Sequence, residues 1–462
     1  MMRRENEFLY TKLYKTLKEQ ILSGLIKPGE YLLPESDLSA HYGLSRKSVR
    51  SALALLHDEG LIVKRVGLGT MIPEDLVIEK PAQRTLRILS PSPAFFLDRG
   101  LPILVEAFKR KHPDIEVKVL GLPINKFWES LRSGEEMGLS ADLVLVPDMN
   151  YSAMDNIGDF IDLSSHLSDV VSNIYPKIMS HFSEAGGGIK AAPFTFSSVF
   201  MSCNPQLFAQ GGLAIPKWQW TFDEFLSAAE QLTRVQDGIT VQYGFSMHAV
   251  INRWLAFAMM NGLKHSDAAG QKQVLSQSLS ILQDLFFRKR IATTFPEVVW
   301  PRTPFIHGKS AMVMTTTFEM ANWQNENMTF APQTIPLPFG NDRSTLLLAN
   351  AFMVPASSEN TQLAAAFVRT ALEDDTQRTL AGQTLFLSVK DNVNRNVKSE
   401  DYLRLMNLAG DAINDNYFIH ELIDEGVAST LEEKMSMFWL GLESVDTIVG
   451  EFERLTAKYA MK

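Results

Sequence analysis

The sequence predicts a multidomain chain in which a small basic α+β unit precedes a large acidic α/β unit. Three observations carry that prediction. The 462 residues are roughly three times a typical domain, so two or three folding units are expected. Charge divides unevenly: residues 1–72 hold 11 Lys/Arg against 8 Asp/Glu, whereas the remainder holds 33 against 45. After Arg84, strand-like runs such as TLRILS, IEVKVLGL and ADLVLVPD alternate with amphipathic helical stretches such as LPILVEAFKRKHP. That alternation argues for a largely parallel sheet. PEDLVIEKPAQR (73–84), with Pro73 and Pro81 and charges between them, reads as a linker. The expected units are therefore 1–72 and 85–462.

Composition limits what these units can be. A 45% apolar fraction with 28 Phe and 20 Met supports sizeable cores and excludes whole-chain disorder. Cys203 is the only cysteine, which excludes a disulfide framework and any Cys-built metal site. The net charge of −9 argues, as an average, against nucleic acid as partner, but it sums +3 on the first unit and −12 on the rest. The N-terminus lacks an apolar signal core, and no run of about 18 apolar residues exists. Cytoplasmic residence without membrane association is the expectation.

The first unit reads element by element. From Phe8 to Leu22, Leu9, Leu13, Leu17 and Ile21 form one helical stripe, and Lys12, Lys15 and Lys18 read as its solvated face. Gly24 and Pro28–Gly29 end that helix, and a short second helix follows Pro34. Gly43 supplies a tight turn, and Ser45 is suited to N-cap a third helix, RKSVRSALALLHDEG. Val49, Leu53 and Leu56 face a core there, while Arg46, Lys47 and Arg50 leave it near the N-terminal end. A recognition helix needs that arrangement, because its first turns reach base edges while the apolar stripe docks the unit. LIVKRV and TMI then alternate as a hairpin around Gly67-Leu68-Gly69, a wing.

These features resemble the GntR-type winged helix-turn-helix family. The carrying residues are Leu33-Pro34-Glu35, Tyr42-Gly43-Leu44-Ser45-Arg46, Val49-Arg50, Glu59-Gly60-Leu61-Ile62 and Gly67-x-Gly69-Thr70. The resemblance implies an operator-DNA contact by Arg46 and Arg50, with Gly69 letting the wing tip approach the minor groove. Ser45, Lys47, Ser48 and Gly67 complete the candidate DNA-binding set. The segment Pro34-Glu35-Ser36-Asp37-Leu38 is one residue shorter than in many members and lacks the Arg they carry there.

The second unit shows no catalytic constellation. Gly308-Lys309-Ser310 is similar to the end of a phosphate loop, yet position 303, where the first Gly belongs, is Thr. No Gly-x-Ser-x-Gly or His-Glu-x-x-His occurs, and the 9 His are dispersed. No enzyme, cofactor or metal is expected. From Thr85 onward the chain is similar to the family-1 extracellular solute-binding proteins, the sugar-binding receptors of ABC importers. The match rests on Leu86–Ser90, Leu104-x-x-Ala107-Phe108-Lys109, Ala141–Val146, Asn204-Pro205-x-Leu207-Phe208, Trp220-Thr221-x-Asp223-Glu224-Phe225 and Gly308-Lys309-x-Ala311-Met312. It implies a periplasmic-binding-protein-like (type II) fold of two α/β lobes, with ligand clamped between them.

Ligands of open α/β sheets bind beyond the carboxyl ends of strands. Ser92, Phe95 and Phe96 follow the first strand, and Asp148 ends ADLVLVP. Phe194 and Thr195 lie where the family crosses between lobes. Carbohydrate sites need flat aromatic faces with polar groups around the edge, so Trp254 and Trp300 are the candidate platforms. Thr316 and Asn350 lie near later strand ends. Trp218 and Trp220 read as packing at a helix entrance, and Asn204 as a helix cap.

Joined, the two resemblances imply a cytoplasmic transcription regulator, expected to be a homodimeric repressor. Its partners would be operator DNA and a mono- or oligosaccharide that closes the cleft. Two alternatives remain: a receptor of an ABC sugar importer with an N-terminal extension, and a DNA-binding protein that ignores ligand.

Overall fold

The computed structural model describes residues 28–32, 34–42, 44–65, 69–76, 85–92, 94–123, 127–136, 141–183, 187–217, 220–263, 268–295, 303–323, 326–338 and 343–459. It also describes residues 10, 11, 13–15, 17, 18, 21, 22 and 26. The chain separates into two compact units, Met1–Arg84 and Thr85–Lys462. Residues 77–84 of the expected linker lie outside the described residues. Pro73–Leu76 is not linker: Leu76 N–H turns back to Pro73 O at 3.1 Å, and Leu76 packs against the small unit's core.

In the small unit, Leu13, Leu17 and Ile21 bury the stripe of the first helix against helices α1 (Glu35–Tyr42) and α2 (Arg46–Asp58). Ser45 caps α2, its hydroxyl accepting the Ser48 N–H at 3.1 Å. Gly60 follows the helix at φ +71°, a conformation that favours glycine. Strands β1 (Val63–Arg65) and β2 (Gly69–Met71) pair antiparallel, with Arg65 opposite Gly69. A third segment joins them: Leu32 N–H bonds Thr70 O at 2.8 Å, and Ile72 N–H bonds Glu30 O at 2.9 Å.

The large unit holds two mixed six-stranded sheets. In the first, β3 (Thr85–Ser92), β4 (Glu116–Pro123) and β5 (Leu143–Pro147) are parallel. They are extended by β6 (Ala192–Ser198), then, later in the chain, by β13 (Leu347–Met353) and β14 (Leu387–Ser388), both antiparallel to β6. The order is β14-β6-β13-β5-β3-β4. β5 is apolar throughout and β3 is buried at Leu86 and from Ile88 to Pro91, as expected where helices cover both faces of a parallel sheet.

The second sheet contains β7 (Phe200–Cys203), β8 (Arg234–Gln236), β9 (Ile239–His248), β10 (Ala292–Phe295), β11 (Ser310–Thr315) and β12 (Gln333–Ile335). Its order is β10-β9-β11-β7-β12, with β8 paired to the start of β9. Asn204 caps the helix after β7, and Thr221 and Glu224 form a capping box at the helix Phe222–Leu232. Helices Glu425–Trp439 and Val445–Tyr459 return to this second lobe and bury Leu431, Phe438 and Phe452 in its core. Among the described residues, no helix is long and apolar enough to cross a membrane.

Candidate functional site

The DNA-facing candidates cluster at the start of α2. Arg46 and Lys47 are exposed and have no ion-pair partner among the described residues. Arg50 lies one turn on, and its Nε donates to Glu35 at 2.6 Å. Ser45 and Ser48 are spent on the cap: their hydroxyls lie 2.9 Å apart, and Ser48 is buried. Ser48 therefore supports the helix start and presents no hydroxyl to a base. Gly69 sits on the wing at φ +109°, where a side chain would be strained. Gly67 lies outside the described residues. Lys18 faces another element: it donates to Tyr14 at 3.0 Å and pairs with Glu59 at 2.6 Å, tying the first helix to α2.

The two lobes of the large unit are joined by three chain crossings laced side by side. Val199 N–H bonds Leu346 O at 2.9 Å, Tyr417 N–H bonds Thr345 O at 3.0 Å, and Leu347 N–H bonds Tyr417 O at 2.8 Å. The Thr345 hydroxyl donates to Val199 O at 2.6 Å, and Asn416 Oδ1 accepts the Thr345 N–H. Such a bundle of short extended crossings is what a hinge requires. Beyond it, β3 and β5 end at Ser92 and Pro147 in one lobe, while β9 and β11 end at His248 and Thr315 in the other.

The lobes touch on both sides of this hinge. Thr317 N–H, opening the helix α3 (Thr317–Trp323), donates to Ser197 Oγ at 2.9 Å. Phe318 packs against Phe386 of the first lobe, ring centroids 5.8 Å apart. On the other side Lys177 pairs with Glu421 at 2.7 Å and lies over the Tyr417 ring. There His181 stacks on Phe418 at 4.0 Å.

Several predicted cleft residues are buried elsewhere. Trp254 is 1% exposed in the second lobe's core, so it offers no face to a ligand. Its helix Ile251–Met260 is apolar nearly all round, and such helices are buried. Phe96 and Phe194 meet edge to face at 4.8 Å inside the first lobe, and Phe194 stacks on Phe352 at 4.1 Å. The Thr195 hydroxyl donates to Leu387 O at 2.8 Å, and Thr316 Oγ1 accepts the Glu319 N–H as a helix cap. Asn350 is buried within β13, between Pro147 and Thr195 on the neighbouring strands. Ser92 stays exposed at the end of β3. Trp300 and the Phe95 side chain lie outside the described residues.

Asp148 is a poor acceptor for a sugar hydroxyl. It is buried, and Oδ1 already accepts the Ala349 N–H at 3.0 Å. Burial pushes its carboxyl up to about 7, and the Glu425 charge adds to that push. Glu425 is itself pushed up to about 7 by burial, with Asp424 beside it.

The most connected polar group at the ends of β9 and β11 is one that the sequence reading missed. Glu319 Oε1 accepts from Arg253 at 2.8 Å and lies 3.1 Å from His248 Nδ1, and Oε2 accepts the Thr315 hydroxyl at 2.7 Å. Burial pushes the Glu319 carboxyl up, but Arg253, His248 and Thr315 outweigh it and hold it at about 2. The available signal was Arg253 alone in an apolar helix, which demands a buried acid. Among the described residues, no group of three or more His, Cys, Asp or Glu is arranged to hold a metal ion.

Comparison with known proteins adds two family matches. Residues 104–407 match the model of bacterial extracellular solute-binding proteins, and residues 9–72 that of the gntR family of bacterial regulatory proteins. Over 65 residues the chain is 38% identical to the histidine utilization repressor of Klebsiella aerogenes, covering 14% of this chain and 27% of that protein. Over 68 residues it is 40% identical to the HTH-type transcriptional regulator GgaR of Escherichia coli K12, covering 15% and 27%. The chain thus spans about a quarter of the length of these curated relatives. The large unit is similar to the substrate-binding protein Lmo0181 of Listeria monocytogenes, solved with cycloalternan, at TM-score 0.67 and 16% identity. That match covers 82% of this chain and 99% of the other. A Thermotoga lettingae solute-binding protein with bound alpha-D-tagatose matches at TM-score 0.69 and 15% identity, covering 81% and 99%. At these identities the likeness shows the fold: two lobes of the solute-binding type.

Proposed function

The chain belongs over residues 104–407 to the bacterial extracellular solute-binding proteins and carries a gntR-family domain at residues 9–72, and from that premise we propose that it is a DNA-binding regulator whose operator affinity is set by a carbohydrate in the inter-lobe cleft. The observation that carries this reading is the covalent union of a winged helix with a hinged two-lobed receiver. A receiver of that kind has two states, and a ligand that prefers one can shift the equilibrium only by its differential affinity.

In this reading Arg46, Lys47 and Arg50 contact operator DNA, and Gly69 admits the wing tip. Two copies read a near-palindromic site, because helix-turn-helix recognition generally pairs half-sites about one helical turn apart. The protein works in the cytoplasm, and the names of its regulator relatives support repression; in this reading the ligand relieves it. The sugars bound by its structural neighbours support a saccharide as the ligand class.

A thermal-shift screen against mono- and oligosaccharides, repeated with operator-length DNA, tests the coupling. A sugar that raises the melting temperature should change DNA affinity by the same factor by which DNA changes sugar affinity. A stabilising sugar without effect on DNA binding refutes the coupling. Stabilisation by none of the sugars leaves DNA reading without sugar sensing.

A further inference from the structure

We propose that the first lobe carries a second carbohydrate site, separate from the inter-lobe cleft, in which the Trp128 indole is the platform for a single neutral sugar ring. The site is a cavity of about 330 Å³ between the helix Phe127–Glu136, the segment after Asp148–Ser152 and the turn after β13. That volume lies at the small end of the ~300–1,000 Å³ range of ligand pockets, which suits one ring better than an oligosaccharide. The floor includes Trp128, Phe160 and Pro355; the rim carries Arg132, Asp155 and Asp159.

The floor is held in place from three directions. Trp128 Nε1–H donates to Asn150 O at 2.8 Å, which fixes the plane of the indole. Phe160 meets that ring edge-on at 6.0 Å. The wall segment is stitched to the turn after β13, Ala356 N–H bonding Asp159 O at 2.8 Å and Ile161 N–H bonding Val354 O at 3.0 Å. Pro355, at one wall, lies eight residues beyond Leu347, roughly 26 Å at ~3.3 Å per strand residue, so that wall stands away from the hinge.

The rim selects the ligand class. An anion would meet two carboxylates, and a cation would meet the Arg132 guanidinium. A hydroxyl both donates and accepts, so it can satisfy the carboxylates and the guanidinium in turn. Asn156 adds to this edge, its amide already donating to Asp159 Oδ1 at 2.8 Å. A flat indole face suits the C–H face of a pyranose, and these polar groups suit its hydroxyl edge. Trp128 lines this cavity, whereas Trp254 and Trp323 are core.

Saturation-transfer NMR on the full chain tests the site, with methyl α-D-glucopyranoside, methyl α-D-galactopyranoside and methyl α-D-mannopyranoside as probes. At least one should receive transfer on its ring C–H protons. Trp128→Leu and Asp155→Arg should each weaken its binding at least tenfold, while Phe318→Ala, altered at the lobe junction, leaves it unchanged. Asp155 is exposed, so Asp155→Arg decides the matter if Trp128→Leu fails to fold, with the melting temperature as the folding control. Transfer to none of the three probes overturns the proposal. So does transfer that survives Asp155→Arg but disappears in Phe318→Ala, which would place the sugar in the cleft.

Discussion

Arg50 donates its Nε–H to Glu35 across 2.6 Å, so α2 and the helix before it are pinned together at the start of α2, where the proposed operator contact lies. The pair is largely solvated, with 69% of the Arg50 side chain and 30% of Glu35 exposed, and such pairs are worth only ~0–1 kcal/mol. Operator contact can therefore displace Glu35 at little cost. Arg50→Ala should lower operator affinity by ~1–3 kcal/mol, roughly 5- to 150-fold, with the melting temperature unchanged. Glu35→Gln should raise affinity by less than about fivefold. Fluorescence anisotropy with labelled operator reads both; equal affinities for wild type and Arg50→Ala would remove Arg50 from the interface.

The second prediction concerns Glu319. It is fully buried and ionised because Arg253 and His248 converge on it. Arg253→Met strands that carboxylate in the core and should cost ~3–5 kcal/mol in urea unfolding. Replacing both partners, Arg253→Met with Glu319→Leu, should recover most of the loss, because no buried charge is then left unpaired. A double variant as unstable as the single one would show that the loss is packing.

The same two regions show what the sequence discloses. Ser45, Gly60 and the alternation of LIVKRV act within a few residues of themselves, so cap, helix end and wing are legible. The third strand of the wing is not, because Glu30 and Ile72 meet only after folding. In the large unit, strand ends locate the cleft but not the side chains that fill it. Trp254 follows the Asn252-Arg253 signal on the chain, yet the helix turns its ring into the core. Phe318 has no periodic or compositional mark, and its place at the junction depends on where β11 delivers the helix after it.

Two buried groups predict opposite pH responses. The Asp148 carboxyl is raised to about 7, so in the folded state it keeps its proton where the unfolded chain has lost it. Its contribution is fully present below about pH 4 and is lost as pH rises through 7. His181 is lowered to about 3 by burial and by the neighbouring His420 and Lys177. Its contribution is present above about pH 6.5 and is lost as pH falls. The two trends offset each other across pH 4–6.5, so wild-type melting temperatures should vary little there on their account. Asp148→Asn should raise the melting temperature at pH 8 more than at pH 4. His181→Phe should raise it at pH 5 more than at pH 8. A uniform shift in either variant would refute the titration.

The last prediction concerns the contact between Phe318 and Phe386. Phe318 is 9% exposed where the lobes meet, and opening the hinge would expose its ring to water. Burying a Phe side chain contributes ~1.5–3 kcal/mol, so Phe318→Ala should shift the closed-to-open ratio by roughly 10- to 150-fold. Lys177→Ala, which removes a partly exposed ion pair on the other side of the hinge, should shift it far less. Small-angle scattering of the unliganded variants should therefore show a larger radius of gyration for Phe318→Ala and little change for Lys177→Ala. If closure controls the DNA-reading unit, operator affinity in Phe318→Ala must move in the direction opposite to the effect of a sugar that favours closure. It cannot move by more than the shift in the lobe equilibrium. Expanded scattering with unaltered operator affinity would separate lobe motion from DNA binding, and unaltered scattering would show that Phe318 does not hold the lobes together.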